Sequence, residues 1–198
     1  MRDELGSSFH PLPLDVTNTQ SVSSLIERLP QDFQGVDVLV NNAGHDIGGR
    51  RLFEEGNAQQ WSDIIETNVQ GLMRVTHAVI DGMLAGGHGH VVNIGSIAGL
   101  KPYATGAAYV TSKYAVHGFS ESLRLDYAGR GIRVSEIMPG LVRSGFAGQR
   151  LGDAKKADTF YDSVGQSLNP EDVARSVLFA LQQPKQVEIA QLVVLPVS

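Results

Sequence analysis

The chain has 198 residues, 42% of them hydrophobic and 19% charged, which suits one domain built around a single buried core. A net charge of −5 excludes the basic stripe that a nucleic-acid backbone follows, and the lack of cysteine excludes a disulfide scaffold and thiolate chemistry. No apolar run approaches the ~20 residues of a membrane span, and the opening Met1–Gly6 has no apolar signal-peptide core, so a cytoplasmic protein with no membrane or nucleic-acid partner is expected.

In chain order, Phe9–Val16 reads as an apolar strand and Thr19–Leu29 as a helix. Val36–Asn41 is a second strand. Ala58–Leu84 follows as a long helix, with Trp61, Ile64, Ile65, Asn68, Val69, Leu72 and Val75 recurring at helical spacing. The Gly86-Gly87-His88-Gly89 turn feeds a strand over His90–Ile94. A helix over Ala107–Tyr127 and a strand over Ile132–Met138 come next. Residues Ser144 to Asp162, rich in Gly, Ala and charge, are too long for a plain connector and are expected to form a substrate loop or lid. Asn169-Pro170-Glu171 starts a helix that runs to Leu181, and Glu188–Leu195 is the last strand. Strands alternating with helices predict an α/β fold, a parallel sheet flanked by helices, in a single domain over residues 1–198.

Three signals carry chemistry, each at a strand end or on the next helix. Asn41-Asn42-Ala43-Gly44 follows an apolar strand, where small residues let a ligand approach the backbone; the same residues equally make a tight strand-exit turn. Ser96, within Ile94-Gly95-Ser96-Ile97-Ala98-Gly99, faces the crevice beyond the strand ends, although a serine in a Gly-rich turn is more often a cap. Tyr109-Val110-Thr111-Ser112-Lys113 sets a phenol and an ammonium one helical turn apart, and a nearby cation lowers a phenol's pKa towards useful acid–base chemistry. A Tyr and a Lys four apart also recur by chance in many helices.

Together, and in this order, the three resemble the short-chain dehydrogenase/reductase family. The likeness runs from Asp15-Val16-Thr17 through Pro139-Gly140. It implies a Rossmann-like doubly wound parallel sheet and an oxidoreductase that moves hydride between a nicotinamide cofactor and a carbonyl or alcohol. It implies a catalytic set of Asn68, holding a relay water; Ser96, bonding the substrate oxygen; Tyr109, the proton donor or acceptor; and Lys113, which holds the ribose and lowers the tyrosine pKa. For the cofactor, Asp15 and Val16 resemble the pair beside the adenine, with Asn42, Ala43 and Gly44 nearby. Tyr109 and Lys113 also face it, and Pro139, Gly140, Val142 and Ser144 lie in the stretch that lines the nicotinamide. A homo-oligomer, dimer or tetramer, is implied, built on the two long helices.

The family pattern begins with a strand, a Gly-rich turn and a further strand–helix unit, and no Gly-x-x-x-Gly-x-Gly precedes Asp15. The opening Arg2-Asp3-Glu4-Leu5-Gly6 resembles the tail of the helix before the family's third strand. By the size of a βαβ unit, roughly 40–50 residues of the pattern, including its first two strands, are not in this sequence. The strand ending at Asp15 is then expected to lack its neighbour, and the one ending at Asn41 to form an apolar edge. A non-catalytic nicotinamide-binding protein is the alternative this suggests.

Phe9-His10-Pro11-Leu12-Pro13-Leu14-Asp15-Val16, Gly89-His90-Val91-Val92-Asn93-Ile94-Gly95-Ser96 and Pro139-Gly140-Leu141-Val142 most resemble the branch acting on 3-hydroxy acids and serine-like alcohols, usually with NADP (NAD being the other choice). A 3-oxoacyl reductase is the rival. A 3-hydroxy acid needs a cation for its carboxylate, for which Arg143, Arg150 and Lys101 are candidates, each equally a solvated surface charge. His45 and Asp46 either line the substrate pocket or decorate a loop. His88 and His90, with no third ligand at useful spacing, make a poor zinc site and read as a polar turn and strand edge, so no metal is expected.

Overall fold

Four of the five apolar runs become the strands of one sheet in a computed structural model that describes residues 6–197. They are β1 (Val38–Asn41), β2 (Gly89–Ile94), β3 (Ile132–Pro139) and β4 (Gln191–Val194). All pair in parallel, in the spatial order β1-β2-β3-β4. The helices are α1 (Thr19–Ser23), α2 (Leu25–Arg28), α3 (Ala58–Ile65), α4 (Leu72–Gly86), α5 (Ala107–Asp126), α6 (Gly145–Leu151), α7 (Ala154–Val164) and α8 (Pro170–Leu181).

Successive strand residues face opposite sides, and each side of β2 and β3 finds its own cover. Val91 and Val134 pack with Val79, Ile80 and Met83 of α4 and Leu123 of α5. Val92 and Ile137 pack on the other side with Val173, Val177 and Ala180 of α8. Burial on both faces explains why the central strands read as continuous apolar runs. Each such side chain contributes roughly 1.5–3 kcal/mol. β1 and β4 are the edge strands, and Val38 and Val40 on β1 are exposed.

On the α4/α5 side a polar row crosses all four strands, because the register aligns Asn41 with Asn93, Asn93 with Glu136, and Glu136 with Gln191. Asn41 Nδ2 donates to Asn93 Oδ1 and to Thr76 Oγ1, each at 2.9 Å, and Asn93 Nδ2 donates to Ser120 Oγ at 2.9 Å. Glu136 Oε2 lies 2.7 Å from His117 Nδ1. Buried polar groups need such partners, and these fix α4 and α5 on the sheet.

Several expectations are corrected. Phe9–Val16 is not a strand: it pairs with none among the described residues, and Pro11 and Pro13 have no N–H for a ladder. It ends in a turn where Asp15 Oδ1 accepts from Thr17 N at 2.9 Å, and Arg28 Nη2 donates to Pro13 O at 2.6 Å. The Thr19–Leu29 helix breaks at Ser24, whose hydroxyl donates to Gln20 O at 3.0 Å. The Ala58–Leu84 helix is interrupted by a π segment, Glu66–Gly71. Residues 144–162 are not an irregular loop but mostly α6 and α7, joined by their own small core of Ala147, Ala157 and Tyr161. His90 sits buried inside β2 rather than at an edge, with Nε2 2.8 Å from Ser135 Oγ. The expected helix tail at residues 2–5 lies outside the described residues. Pro170–Leu181 and its capping box, Asn169 N to Asp172 Oδ2 at 2.7 Å, are as expected.

Burial, with the Arg133 cation adding to it, pulls the His90 imidazole down to about 4 from 6.5. Unfolding releases a histidine that takes up a proton below about 6.5, so stability is full above that pH and is lost as pH falls from 6.5 towards 4. We predict that His90→Gln removes up to about 3 kcal/mol of this acid destabilisation. Urea midpoints of both proteins at pH 7 and 4.5 measure it; equal slopes would refute it.

Candidate active site

The carboxyl end of β2 and the first turns of α5 bring the site together. Ser96 leaves β2 in extended conformation and caps the short turn Ile97–Gly99, its Oγ accepting from Ala98 N at 3.1 Å. The Tyr109 phenol stands beside the same hydroxyl, which acts to lower its pKa, so the cap and the site residue are one group. Lys113 follows Tyr109 by one turn of α5. Its Nζ lies 5.6 Å from the Tyr109 ring centroid and donates to Ile94 O at 2.8 Å.

Asn68 lies buried in the π segment and ties two loops to α5. Its Nδ2 donates to His45 O at 2.9 Å and Ser112 Oγ at 3.0 Å, and its Oδ1 accepts from His45 N at 2.9 Å. Ser112 Oγ in turn donates to Tyr109 O at 2.7 Å. Both amide N–H groups are therefore spent on protein acceptors. Asn68 reaches Tyr109 through Ser112, a residue that sequence reading passed over as filler between Tyr109 and Lys113. The structure thus brings Asn68, Ser96, Tyr109 and Lys113 to one place.

Of the other residues expected around the cofactor, those from Asn42 to Gly44 and from Pro139 to Ser144 lie at the carboxyl ends of β1 and β3 or in the turns that follow, whereas Asp15 and Val16 lie in a turn that follows no strand. Asn42 and Ala43 are exposed just after β1, and Gly44 lies so close to Asn68 that an added Cβ would stand 3.1 Å from its Oδ1. Pro139 closes β3 and Gly140 follows it, bonded through its N to Val194 O at 2.8 Å. Val142 bridges to Leu168, and Ser144 caps α6. Asp15 is exposed in its turn, while Val16 packs on Gly71, where a Cβ would come within 2.7 Å.

A second cation approaches the phenol from α6. The Arg150 guanidinium lies 5.5 Å from the Tyr109 ring and 5.0 Å from the Phe146 ring, and its Nε is 2.6 Å from Asp46 Oδ2. Both partners are nearly dry. Of the three candidate cations, only Arg150 borders the phenol: Arg143 pairs with exposed Asp162 at 2.6 Å, and Lys101 is exposed. Asp46 also borders a narrow cleft with Gly49, Thr105, Gly106 and Tyr109. Thr105 adopts φ 66°, a conformation that costs a β-branched residue about 1–3 kcal/mol.

Comparison with known proteins shows which family the chain belongs to. A family model described as short chain dehydrogenase matches residues 1–155. The NADP-dependent 3-hydroxy acid dehydrogenase of Escherichia coli K12 is 38% identical over the whole chain, which covers 80% of that relative. A fission-yeast enzyme of the same description (Schizosaccharomyces pombe) is 39% identical over 94% of the chain and 71% of its own length. Among solved structures, the closed form of a serine dehydrogenase complexed with NADP+ superposes with a TM-score of 0.93 at 38% identity, covering 98% of this chain and 78% of that one. The chain belongs to the short chain dehydrogenase family.

In this short chain dehydrogenase the two central ionisable groups are pushed apart. Burial raises the Tyr109 phenol to about 12, against the opposing influences of the Arg150 cation and the Ser96 hydrogen bond. The expected lowering by Lys113 does not prevail: in this structure Arg150 is the cation that opposes the rise. Burial likewise pulls Lys113 down to about 8, opposed by the Glu136 carboxylate. Asp46 is raised by burial and held back first by Arg150. His88 pairs with exposed Asp37 at 3.1 Å, and among the described residues no three His, Cys, Asp or Glu side chains cluster as metal ligands.

Asn68→Ala would strand the half-buried His45 N–H and C=O groups and loosen α5. We predict a loss of roughly 2–4 kcal/mol, read from chemical denaturation. A loss under about 0.5 kcal/mol would contradict the bonding described, since that is the range of an ordinary surface substitution.

Proposed function

We propose that the chain is an NADP-dependent oxidoreductase of short 3-hydroxy acids and serine-like alcohols. The observation that carries the reading is the Tyr109 phenol, set beside the Ser96 hydroxyl and flanked by two cations, Lys113 on α5 and Arg150 on α6. The names of its relatives, 3-hydroxy acid dehydrogenase and serine dehydrogenase with NADP+, support the substrate class and the cofactor.

The residues present fit a nicotinamide nucleotide. Lys113 spends one N–H on Ile94 O, so a buried ammonium keeps two donors for the hydroxyls of a ribose. The exposed backbone of Asn42 and Ala43, with Asp15 and Val16 beyond it, would take the adenosine side. Pro139, Gly140, Val142 and Ser144 would face the nicotinamide. When bound, the cofactor supplies or accepts the hydride.

The chain's own work is orientation and proton transfer. Ser96 Oγ fixes the substrate oxygen beside the phenol. With a pKa near 12, Tyr109 carries its proton throughout the neutral range and gives it to the carbonyl oxygen during reduction. Lys113 stabilises the phenolate that results, and a relay water would donate to an oxygen of Asn68, whose N–H groups are occupied. Arg150 anchors the substrate carboxylate, exchanging part of its pairing with Asp46. Helices α6 and α7, which carry Arg150 and pack over Ser144 through the Tyr161 hydroxyl, act as the lid. We place the protein in the cytoplasm as a homo-oligomer, a dimer or tetramer; no helix of the described residues is long and apolar enough to cross a membrane. The exposed Met73, Tyr114 and Leu125 on the two long helices support assembly.

Tyr109→Phe should abolish NADPH-dependent reduction of malonate semialdehyde while NADPH affinity, followed by fluorescence, stays within about threefold. The conserved affinity separates a lost proton from a lost fold; undiminished turnover would sink the reading. Arg150→Met should raise KM for malonate semialdehyde at least tenfold, about 1.4 kcal/mol, and spare an uncharged aldehyde. Equal losses on both substrates, or preference for an acyl thioester, would instead exclude the carboxylate anchor.

A further inference from the structure

Behind the catalytic lysine lies a buried acid that the reaction scheme leaves without a task. Glu136 is fully buried in β3, 0% exposed. Its Oε2 is taken by His117 Nδ1 at 2.7 Å, and its Oε1 has no hydrogen-bond partner. That free oxygen fills the place a side chain would occupy at residue 95: a Cβ on Gly95 would stand 2.2 Å from it. The residue before Gly95 is Ile94, whose carbonyl holds the Lys113 ammonium. Lys113 and His117 are one turn apart on α5, so the helix presents both to the same stretch of sheet.

We propose that Glu136, held by His117, is the positioning residue that keeps the Lys113 ammonium charged at the end of β2. The inference rests on the reading of Lys113 as a catalytic residue. A lone ammonium this deep loses its proton readily, because burial disfavours the charged form. An ionised carboxylate behind it opposes that loss, and Glu136 is the group that does so here. Burial raises the Glu136 carboxyl in the same way, and its hydrogen bond with His117 is the first influence that opposes the rise. His117 is partly exposed, and the Gln191 amide of β4, 3.5 Å from it, donates to Glu121 Oε1 at 3.2 Å. The charged and titratable groups around the pair are thus Lys113, His117, Glu121 and Arg124 from α5 and Glu136 itself from β3. β2 contributes the neutral Asn93 and the Ile94 carbonyl, and β4 the neutral Gln191. Tyr109 lies on the far side of Lys113.

The chain has five lysines, few enough for each side-chain ε-carbon to be followed by NMR in lysine-labelled protein and for Lys113 to be assigned by Lys113→Met. In the unaltered protein Lys113 should titrate near 8. In Glu136→Gln its midpoint should fall by about one pH unit, the lower end of the effect of losing an opposite charge. In His117→Leu, which keeps the acid but removes its partner, the midpoint should fall in the same direction. The alkaline limb of NADPH-dependent reduction should move with it. An unshifted Lys113 midpoint in folded Glu136→Gln, or in folded His117→Leu if the first variant does not fold, overturns the inference. A merely structural role would lower stability and kcat without moving either midpoint. If the Lys113 midpoint shifts but no variant, nor the unaltered protein, turns over, the inference stands and the reading of the reaction is what fails.

Discussion

Taking an ammonium out of water costs several kcal/mol unless opposite charge and hydrogen bonds replace its hydration, and Lys113 is only 8% exposed. Much of the local architecture follows from that requirement. The Ile94 carbonyl at the end of β2 must be aimed at α5 rather than at a neighbouring strand. Residue 95 must be glycine, because the balancing carboxylate of Glu136 occupies the space of its side chain. β3 must place Glu136 opposite Asn93 in the register, and α5 must bring His117 one turn beyond Lys113. The polar row from Asn41 to Gln191 is the wider expression of the same condition, since its buried side chains find their partners in one another or on α4 and α5.

That condition also explains why the central chemistry was legible in the sequence. Spacing alone puts Tyr109 and Lys113 on one face of a helix, and an apolar run ending in Gly95-Ser96 puts a hydroxyl at a strand end. Both are local patterns, and the structure brings these residues together with Asn68. The sheet was legible where strands are buried on both faces, at β2 and β3, and in the well-capped helix α8.

What escaped depends on contacts between distant residues. Phe9–Val16 has the apolar content of a strand, but a strand exists only by pairing, and composition does not report a partner. The π segment is invisible to helical periodicity because apolar residues continue on both sides of Asn68. Ser112 looks like spacing until Asn68, far earlier in the chain, is seen to reach it. Arg150 reads equally as a carboxylate's cation or a surface charge, and Asp46 as pocket lining or loop, and it took the folding of residues 144–162 into two helices to bury one against the other. Their composition, small residues and charges, reads as a loop because those helices bury little beyond Ala147, Ala157 and Tyr161.

The contrast between the two cations beside the phenol carries one last consequence. Lys113 is fixed by the sheet: its carbonyl partner belongs to β2 and its balancing acid to β3. Arg150 belongs to α6, which packs on α7 and joins the body through Asp46 and the ring of Tyr109, which Arg150 and Phe146 of α6 both meet. Yet Arg150, not Lys113, is the cation that most offsets the effect of burial on Tyr109. The acidity of the phenol therefore depends on where α6 lies. If α6 moves outward, the phenol loses its strongest opposing charge but also regains water, and these effects act in opposite directions. With α6 where it lies, burial wins and the proton stays on the phenol oxygen. The covering helices and the acid beneath them thus form one electrostatic unit.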